Sequence, residues 1–338
     1  MQQPLLAMLL TLAAIVLASA AGAQTAAPRL SLPIACTPGD TCFIQSYVDI
    51  VPGSDAGDFR CGSATYDGHK GVDFRLLSAA AAKQGVNVLA AADGVVKGVR
   101  DGMTDELLKA GKRKSIEGRE CGNGVVLDHG GGWETQYCHM RQGSVVVSAG
   151  QKVARGAVLG SVGYSGLAEL AHVHLSVRHN GEVVDPYSGA RTGSACLNSA
   201  EAAAAGSMWD EAARAAFDYR NGDIIGAGFA AKPVGWVELE VDHRIAAPEV
   251  DSPSLIFYAR LVNLRAGDRV RLAVAGPEGF DVASESEPLA GNKAAYVAFA
   301  GKRLRALRWP AGRYLARVEL LRAGKVIASR EGIALDLP

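Results

Sequence analysis

The sequence predicts a mainly β protein in which two regions of short strands are joined by a helical stretch. Forty glycines divide the chain into short segments, and many of these segments alternate apolar with polar residues, as strands do. An alanine-rich stretch at 199–220 has helical spacing instead. The length of 338 residues suffices for two domains, and the hydrophobic content of 49% is typical of a folded chain.

The first 23 residues predict a signal peptide. Leu5–Leu17 is a nearly unbroken apolar run, and Ala21–Ala23 supplies the small residues that signal peptidase requires. Met1–Pro4 departs from the usual pattern because it contains no Lys or Arg. A membrane anchor is the alternative, but so short an apolar run spans a bilayer poorly. We therefore expect cleavage after Ala23 and a periplasmic or secreted protein.

Six cysteines, all between Cys36 and Cys196, agree with export. An even number in an oxidising compartment predicts three disulfides, although six cysteines allow about 15 pairings. The chain lacks the Cys-x-x-Cys spacing of structural zinc sites. The expected pairs are Cys36–Cys42 around a Thr-Pro-Gly-Asp turn, Cys121–Cys138 on facing arms of a hairpin and, as the remaining pair, Cys61–Cys196.

Residues 24–60 contain Pro and Gly at intervals and predict a loop-rich N-terminal segment. Residues 61–196 predict a β domain, with a glycine turn at 130–132. Residues 101–120 interrupt it with a charged, nearly helical insertion. We expect the insertion to be a solvated surface loop, and the alternative is a rim over a substrate groove. The predicted strands of this domain are Val86–Ala90, Gly94–Arg100, Gly124–His129, Trp133–Met140, Ser144–Ser148 and His172–Arg178.

Residues 197–234 predict a helical linker, and residues 235–338 predict a second β domain. About a hundred residues with repeated alternation suggest an immunoglobulin-like β-sandwich. We find no cluster of metal ligands in this domain and expect it to dock or position a substrate. The predicted strands are Val237–Val241, Ser254–Val262, Arg269–Val274, Ala295–Ala300 and Tyr314–Leu321.

Two histidines carry the strongest chemical signal. His172 and His174 are two residues apart, so on a strand they point to the same face. Two imidazoles on one otherwise buried face are unfavourable unless they share a ligand. The other face is apolar, as a core-facing side should be, and consists of Val173, Leu175 and Val177.

Two further stretches complete a metal-site pattern. His69 and Asp73 are four residues apart, and His139 follows Tyr137 at a spacing of two. A catalytic zinc ion takes three protein ligands from His and carboxylate side chains and keeps one position for water. Remaining histidines can carry protons because imidazole titrates near neutrality.

In this order, His-x-x-x-Asp, Tyr-x-His and His-x-His resemble the lysostaphin/LytM-type zinc metallopeptidases, over about residues 61–187. The resemblance implies a mostly antiparallel β domain with one Zn²⁺ ion in a groove. It also implies site roles: the metal ligands are His69, Asp73 and His174, and the catalytic residues are His139 and His172. Cys138 stands where we expect alanine or glycine, which is compatible with a disulfide that points away from the site.

The resemblance implies a zinc metalloendopeptidase that hydrolyses peptide cross-links of bacterial peptidoglycan. Stem or cross-bridge peptides would be its partners. One alternative is a non-catalytic activator of wall amidases, which we expect to have lost ligands. The other is a D,D-carboxypeptidase, a class with a longer His-to-Asp spacing. The formal net charge of zero gives no basis for nucleic-acid binding. We expect His129, His179 and His243 to lie outside the metal site.

Overall fold

The computed structural model describes residues 26–108, 116–197 and 199–338 and has the predicted mainly β fold. The signal peptide predicted at 1–23 lies outside the described residues, as does the middle of the predicted insertion, 109–115. No helix in the described part of the chain is long and apolar enough to cross a membrane.

Strands dominate the described chain, and its α-helices are short. The strands are β1 Cys42–Ser46, β2 Val72–Leu76, β3 Asn87–Leu89, β4 Gly94–Arg100, β5 Asn123–Gly130, β6 Trp133–Met140, β7 Lys152–Val153, β8 Val158–Ser161, β9 His172–His179, β10 Glu182–Val184, β11 Asp223–Ala230, β12 Ser254–Leu264, β13 Arg269–Ala275, β14 Asp281–Glu285, β15 Lys293–Arg303, β16 Gly312–Arg322 and β17 Lys325–Leu337. The helices are α1 Ala79–Lys83, α2 Ala200–Gly206, α3 Glu211–Ala216 and α4 Trp236–Val241.

The first domain is built on one large antiparallel sheet. Its strand order is β1-β2-β9-β6-β5-β4-β7, and β10 pairs with β9 at one end. The strands β3 and β8 form a separate pair beside it. One face of the sheet covers a hydrophobic core, and α2 and α3 add side chains such as Ala203 and Ala213 to that core. The central strands β2, β9 and β6 therefore have one apolar side and one side free for chemistry.

The second domain is a β-sandwich, as predicted. A three-stranded sheet, β11-β12-β15, lies against a four-stranded sheet, β14-β13-β16-β17. A single apolar core receives side chains from both sheets, for example Phe257 from β12 and Val318 from β16. Neighbouring strands are antiparallel throughout both sheets.

Several element predictions are wrong. Val237–Val241 lies in helix α4 rather than in a strand, and Ser144–Ser148 is not a strand. Val237–Val241 alternates apolar with acidic residues, whereas Ser144–Ser148 is a run of three valines between serines. Stretches this short fit more than one local structure, and the tertiary contacts decide between them. The described parts of 101–120 contain no α-helix.

Two of the predicted segments contain strands that the sequence did not predict there. Among the described residues of the predicted linker 197–234, only α2 and α3 are α-helical. They begin after Ser199 and Asp210, whose side chains accept hydrogen bonds as N-caps. The predicted linker also contains β11, which pairs with β12. The predicted loop-rich segment 24–60 contains β1, which extends the first sheet. The domain boundaries otherwise stay a prediction.

All three predicted disulfides are present. They join Cys36 to Cys42, Cys61 to Cys196 and Cys121 to Cys138. The pair Cys61–Cys196 ties the start of the first domain to its last residues across 135 positions of sequence.

Candidate active site

Three neighbouring strands bring most of the predicted site residues together. Asp73 of β2 lies opposite His174 of β9, and His174 lies opposite Cys138 of β6. Directly opposite side chains point to the same face of an antiparallel sheet. His172 shares that face because it is two residues from His174. The predicted apolar face is fully buried and consists of Val173, Leu175 and Val177.

His139 reaches the same face through a β-bulge at the end of β6. Simple alternation would point His139 away from the face that carries Cys138. Between Asn123 and Val125 of β5, however, the facing strand β6 contains one extra residue. His139 has a φ of 62°, in the left-handed region, and its backbone N–H donates to the carbonyl of Cys121 at 2.8 Å. A bulge of this kind redirects a side chain, here into the site.

Three side chains place atoms that can bind a metal ion around one point. His69 Nε2 lies 3.1 Å from Asp73 Oδ2, and His174 Nδ1 lies 2.8 Å from Asp73 Oδ1. The two ring nitrogens are 3.2 Å apart. Ligand atoms at zinc bond lengths of about 2.0–2.1 Å in a tetrahedron are separated by about 3.3 Å. His69, Asp73 and His174 therefore have the spacing of a metal-binding group.

Three of the histidine rings in the site are oriented in the same way. In His69, His139 and His172, Nδ1–H donates to a backbone carbonyl, which can only accept. In a neutral ring this leaves Nε2 as the acceptor, and a ligating histidine is commonly oriented in this way. The accepting carbonyls belong to Tyr47 for His69 at 2.7 Å, Ser165 for His139 at 2.8 Å and Leu170 for His172 at 2.9 Å.

The catalytic candidates lie next to the metal candidates. The rings of His139 and His172 have centroids 4.5 Å apart, and those of His139 and His174 are 5.9 Å apart. His172 Nε2 is 3.6 Å from Asp73 Oδ1. All five predicted residues are thus gathered in one cluster, while the role of each stays a prediction.

Burial and the Asp73 charge set the protonation of the cluster. Burial lowers the pKa of His139 well below its ordinary value, and the nearby His172 and His174 lower it further. Burial also lowers the pKa of His172, against the opposing effect of Asp73. Burial alone would lower the pKa of His69, but the charge and hydrogen bond of Asp73 raise it overall. Burial would raise the pKa of Asp73, but His69 and His172 hold it well below its usual range.

The cluster opens into a groove of about 840 Å³, a volume within the range of ligand-binding clefts. His69, His139 and His174 lie in its wall. The other polar and aromatic groups along the groove include Tyr66, Lys70, Gln136, Ser176, Arg178 and Arg191. Sequence reasoning did not single out these residues, although the two-residue alternation that connects His172 and His174 continues to Ser176 and Arg178.

The disulfide between Cys121 and Cys138 does not point away from the site, contrary to the expectation from sequence. Both cysteines line the groove, because Cys138 lies on the same strand face as His174. Glu120 also lines the groove, so the end of the 101–120 insertion contributes to the groove's rim.

The remaining histidines lie elsewhere, as expected. His129 bonds to the carbonyl of Asp93 and to Thr135, His179 stacks on Trp133, and His243 bonds to Ser78. None of the three belongs to the metal-binding group found among the described residues.

An antiparallel β domain with a buried His/Asp/His group beside two more histidines has the layout of a metal-dependent hydrolase. Residues 67–186 match the model of peptidase family M23. This match agrees with the resemblance noted in the sequence.

Two relatives match about a third of this chain. The "DD-carboxypeptidase/endopeptidase Mpg" of Neisseria meningitidis serogroup B is 34% identical over 122 residues, which cover 36% of this chain and 22% of that protein. An "Uncharacterized metalloprotease" of Haemophilus influenzae is 31% identical over 118 residues, 35% of this chain and 20% of that protein. The chain thus spans about a fifth of the length of these relatives.

Solved structures give similar partial matches. The catalytic domain of lysostaphin from Staphylococcus simulans is 21% identical, with a TM-score of 0.27, over 42% of this chain and 85% of that one. A mutant catalytic domain of the prophage-encoded M23 protein EnpA from Enterococcus faecalis is 22% identical, with a TM-score of 0.31, over 47% of this chain and 94% of that one.

Proposed function

We propose that this protein is a zinc-dependent metalloendopeptidase that hydrolyses peptide cross-links of bacterial peptidoglycan. The observation that carries the proposal is the convergence of His69 Nε2, the Asp73 carboxylate and His174 Nδ1 in a groove of the M23 domain. A shared cation explains why three acceptor atoms are held so close together in a buried site.

The donor set fits one Zn²⁺ ion. Two imidazoles and one carboxylate form a common ligand set of catalytic zinc sites, in which a fourth position stays open. When bound, zinc supplies Lewis acidity, which makes a water molecule more acidic and polarises a carbonyl group. The carbonyl of Tyr47 holds the His69 ring in the orientation that ligation requires.

His139 and His172 are suited to proton transfer and oxyanion support. Each ring is buried and fixed through Nδ1 by a backbone carbonyl, which leaves Nε2 as the acceptor of the neutral ring. In the proposed mechanism, one of them accepts the proton of the attacking water. The other donates a hydrogen bond to the developing oxyanion or protonates the leaving amine.

We further propose a periplasmic or secreted location. Three disulfides lie within the described residues, and disulfides persist in oxidising compartments. Stem or cross-bridge peptides of peptidoglycan are the proposed partners, since the groove is open and polar enough to receive a peptide.

D,D-carboxypeptidase activity is a second candidate. The Neisseria relative carries both activities in its name, "DD-carboxypeptidase/endopeptidase". The two activities differ in whether a cross-link or a terminal residue is cut, so one digest can separate them.

The test is digestion of purified peptidoglycan by the protein without residues 1–23, with and without a chelator, followed by mass analysis. Endopeptidase activity releases monomers from cross-linked dimers, whereas carboxypeptidase activity shortens stem peptides by one residue. Loss of activity with chelator and its return with Zn²⁺ would support metal dependence. Peptidoglycan that stays intact under every metal condition would contradict the proposal and favour a non-catalytic activator.

His172→Ala should abolish hydrolysis while bound zinc stays near one equivalent, because His172 is not among the proposed ligands. His69→Ala should lose both zinc and activity. Metal content by atomic spectroscopy and fragment release by chromatography check the two variants together. Unchanged hydrolysis by His172→Ala would overturn its role.

A further inference from the structure

We infer that Ser176 and Arg178 form a subsite that binds a free carboxylate of the substrate peptide. The inference rests on the proposed function and goes beyond it by identifying the substrate group that is recognised. It depends on the continuation of strand β9 past the two histidines, along the floor of the groove.

The geometry follows from the alternation of β9. Ser176 and Arg178 are two and four residues beyond His174, so all three share the strand face that carries the metal candidates. Both residues line the groove. At about 3.3 Å per residue, Ser176 is roughly 7 Å and Arg178 roughly 13 Å along the strand from His174. A substrate residue within a few positions of the scissile bond can reach them.

Ser176 has an unused hydrogen-bonding group. The residue is 4% exposed, and its Oγ is buried without a hydrogen-bond partner in the described structure. Buried polar groups almost always have a hydrogen-bond partner. An unpaired hydroxyl in a groove wall therefore indicates that an atom of a ligand forms the missing hydrogen bond. A hydroxyl can donate to a carboxylate oxygen.

Arg178 supplies the matching positive charge. Its Nη1 donates to Oε1 of Gln136 at 2.6 Å, and its Nε is 3.7 Å from Oε2 of Glu134. These neighbours face Ser176 and Arg178 across the pairing of β6 with β9. They fix the guanidinium, which has five donors in a fork suited to carboxylates. The Glu134 charge is shared with Lys97, which also pairs with it.

The other charged groups of the groove favour an anionic ligand. Lys70 and Arg191 add two cations, while Glu120 and Glu182 add two anions. Arg191 pairs with Glu182. Together with Arg178 the groove has three cationic side chains against two acidic ones, and Arg178 is the cation beside the unpaired hydroxyl. A free carboxylate therefore fits better than its carboxamide.

The test compares two forms of a cross-linked stem-peptide dimer. In one form the carboxylates that do not take part in peptide bonds are free, and in the other form these carboxylates are converted to carboxamides. Calorimetry on chelator-treated protein measures binding without hydrolysis. The wild type should bind the free form about 10- to 100-fold more tightly, as expected for charge-assisted hydrogen bonds. Ser176→Ala and Arg178→Gln should each lose most of this preference. Arg178→Lys should restore only part of it, because the fork is lost.

Two control variants should keep the preference. Ser63→Ala removes another buried, unpaired hydroxyl, and Arg155→Gln removes an arginine that pairs with Asp210; neither residue lines the groove. Equal affinity for both peptides, no binding of either, or a preference that survives in both Ser176→Ala and Arg178→Gln would overturn the inference.

Hydrolysis by the zinc-loaded protein separates this inference from the proposed function. If the free form binds preferentially but neither peptide is cut, the subsite stands and the proposed function fails. If both peptides are cut with equal kcat/KM, the proposed function stands and the subsite fails.

Discussion

At the residue scale, the site depends on how each imidazole is held. Backbone carbonyls fix Nδ1–H of His69, His139 and His172. His174 instead presents Nδ1 to Asp73, so its Nε2 points the other way, towards Gly71. The glycine leaves room for that ring, which makes Gly71 a positioning residue for a proposed metal ligand.

Gly71→Ala should weaken metal binding by about tenfold or more, as changes to groups that orient a metal ligand do. A Cβ at this position would lie 2.4 Å from His174 Nε2 and 2.6 Å from the carbonyl oxygen of Leu175, so the ring must move away from its ligating position. Competition with a fluorescent zinc chelator measures the affinity. The matched control is Gly98→Ala, where an added Cβ has nothing within 4 Å. Equal zinc affinity in the two variants would contradict the assignment.

Asp185 should make stability depend on pH. Burial raises the pKa of Asp185 to about 7; its Oδ2 accepts hydrogen bonds from Ser188, and its Oδ1 has no partner in the described structure. In the unfolded chain the pKa is about 3.9. Between about pH 4 and 7 the folded protein therefore holds a proton that the unfolded chain has lost, so this contribution to stability is lost as pH rises.

The stability advantage of the wild type over Asp185→Asn should accordingly shrink by about 1–4 kcal/mol between pH 4 and pH 7. Urea unfolding with chelator present measures it without interference from metal loss. Asp128→Asn, an exposed substitution, should show no such trend. A constant difference between wild type and Asp185→Asn across this range would refute the role of the buried carboxyl.

At the element scale, regular alternation could be predicted from sequence and the bulge could not. The His-x-His pair on β9 and its apolar opposite face follow from a period of two. His139 reaches the site only because β6 carries one extra residue opposite β5. That irregularity depends on how two strands pair, and the sequence of one strand alone does not show it. The same limitation explains why the Cys121–Cys138 disulfide was expected to point away from the groove.

The double variant Cys121→Ser/Cys138→Ser should lose activity while keeping its zinc. The disulfide joins the bulge to the segment whose Cys121 carbonyl accepts from the His139 N–H, so its removal lets His139 shift. Small misplacements cost about 10- to 100-fold in rate, and loss of the cross-link costs about 3 kcal/mol of stability. Peptidoglycan digestion and thermal unfolding check both effects.

Cys36→Ser/Cys42→Ser is the control for that variant. Its disulfide closes a six-residue separation, and neither cysteine lines the groove. Activity in this control should match the wild type. If the two double variants lose activity equally, the effect belongs to general stability and not to the position of His139.

At the scale of the whole molecule, a buried ionic cluster joins the two domains. Glu240 of α4 accepts from Arg75 of β2 and from Arg260 of β12, each at 2.7 Å. Trp236 lies against both guanidinium groups, 5.4 Å from Arg75 and 4.7 Å from Arg260. Arg75 is paired with His172 in the β2–β9 register, so the sandwich supports the strand pair that carries the site.

Glu240→Ala should destabilise the protein by about 3–5 kcal/mol, because two buried arginines lose their common partner. The control Glu238→Ala removes a half-exposed carboxylate that pairs with Lys232, and its cost should stay below about 1 kcal/mol. Chemical unfolding gives both values. Similar losses in the two variants would contradict a structural role for the cluster.

The composition and the motifs predicted the two β regions, the three disulfides and the five clustered site residues. They did not predict the contact between the domains. Alternation alone predicts a strand at Val237–Val241, whereas α4 places Glu240 against arginines from distant parts of the chain. Such long-range pairs follow from tertiary packing and leave no local pattern in the sequence.

A crystal structure of the zinc-loaded protein, with anomalous data collected at the zinc edge, locates the bound metal. The proposed site predicts one strong peak at about 2.0–2.2 Å from His69 Nε2, an Asp73 carboxylate oxygen and His174 Nδ1, with His139 and His172 beside it but unbound. A peak at other side chains, or none at this cluster at one equivalent of zinc, would show that these three residues do not form the zinc site.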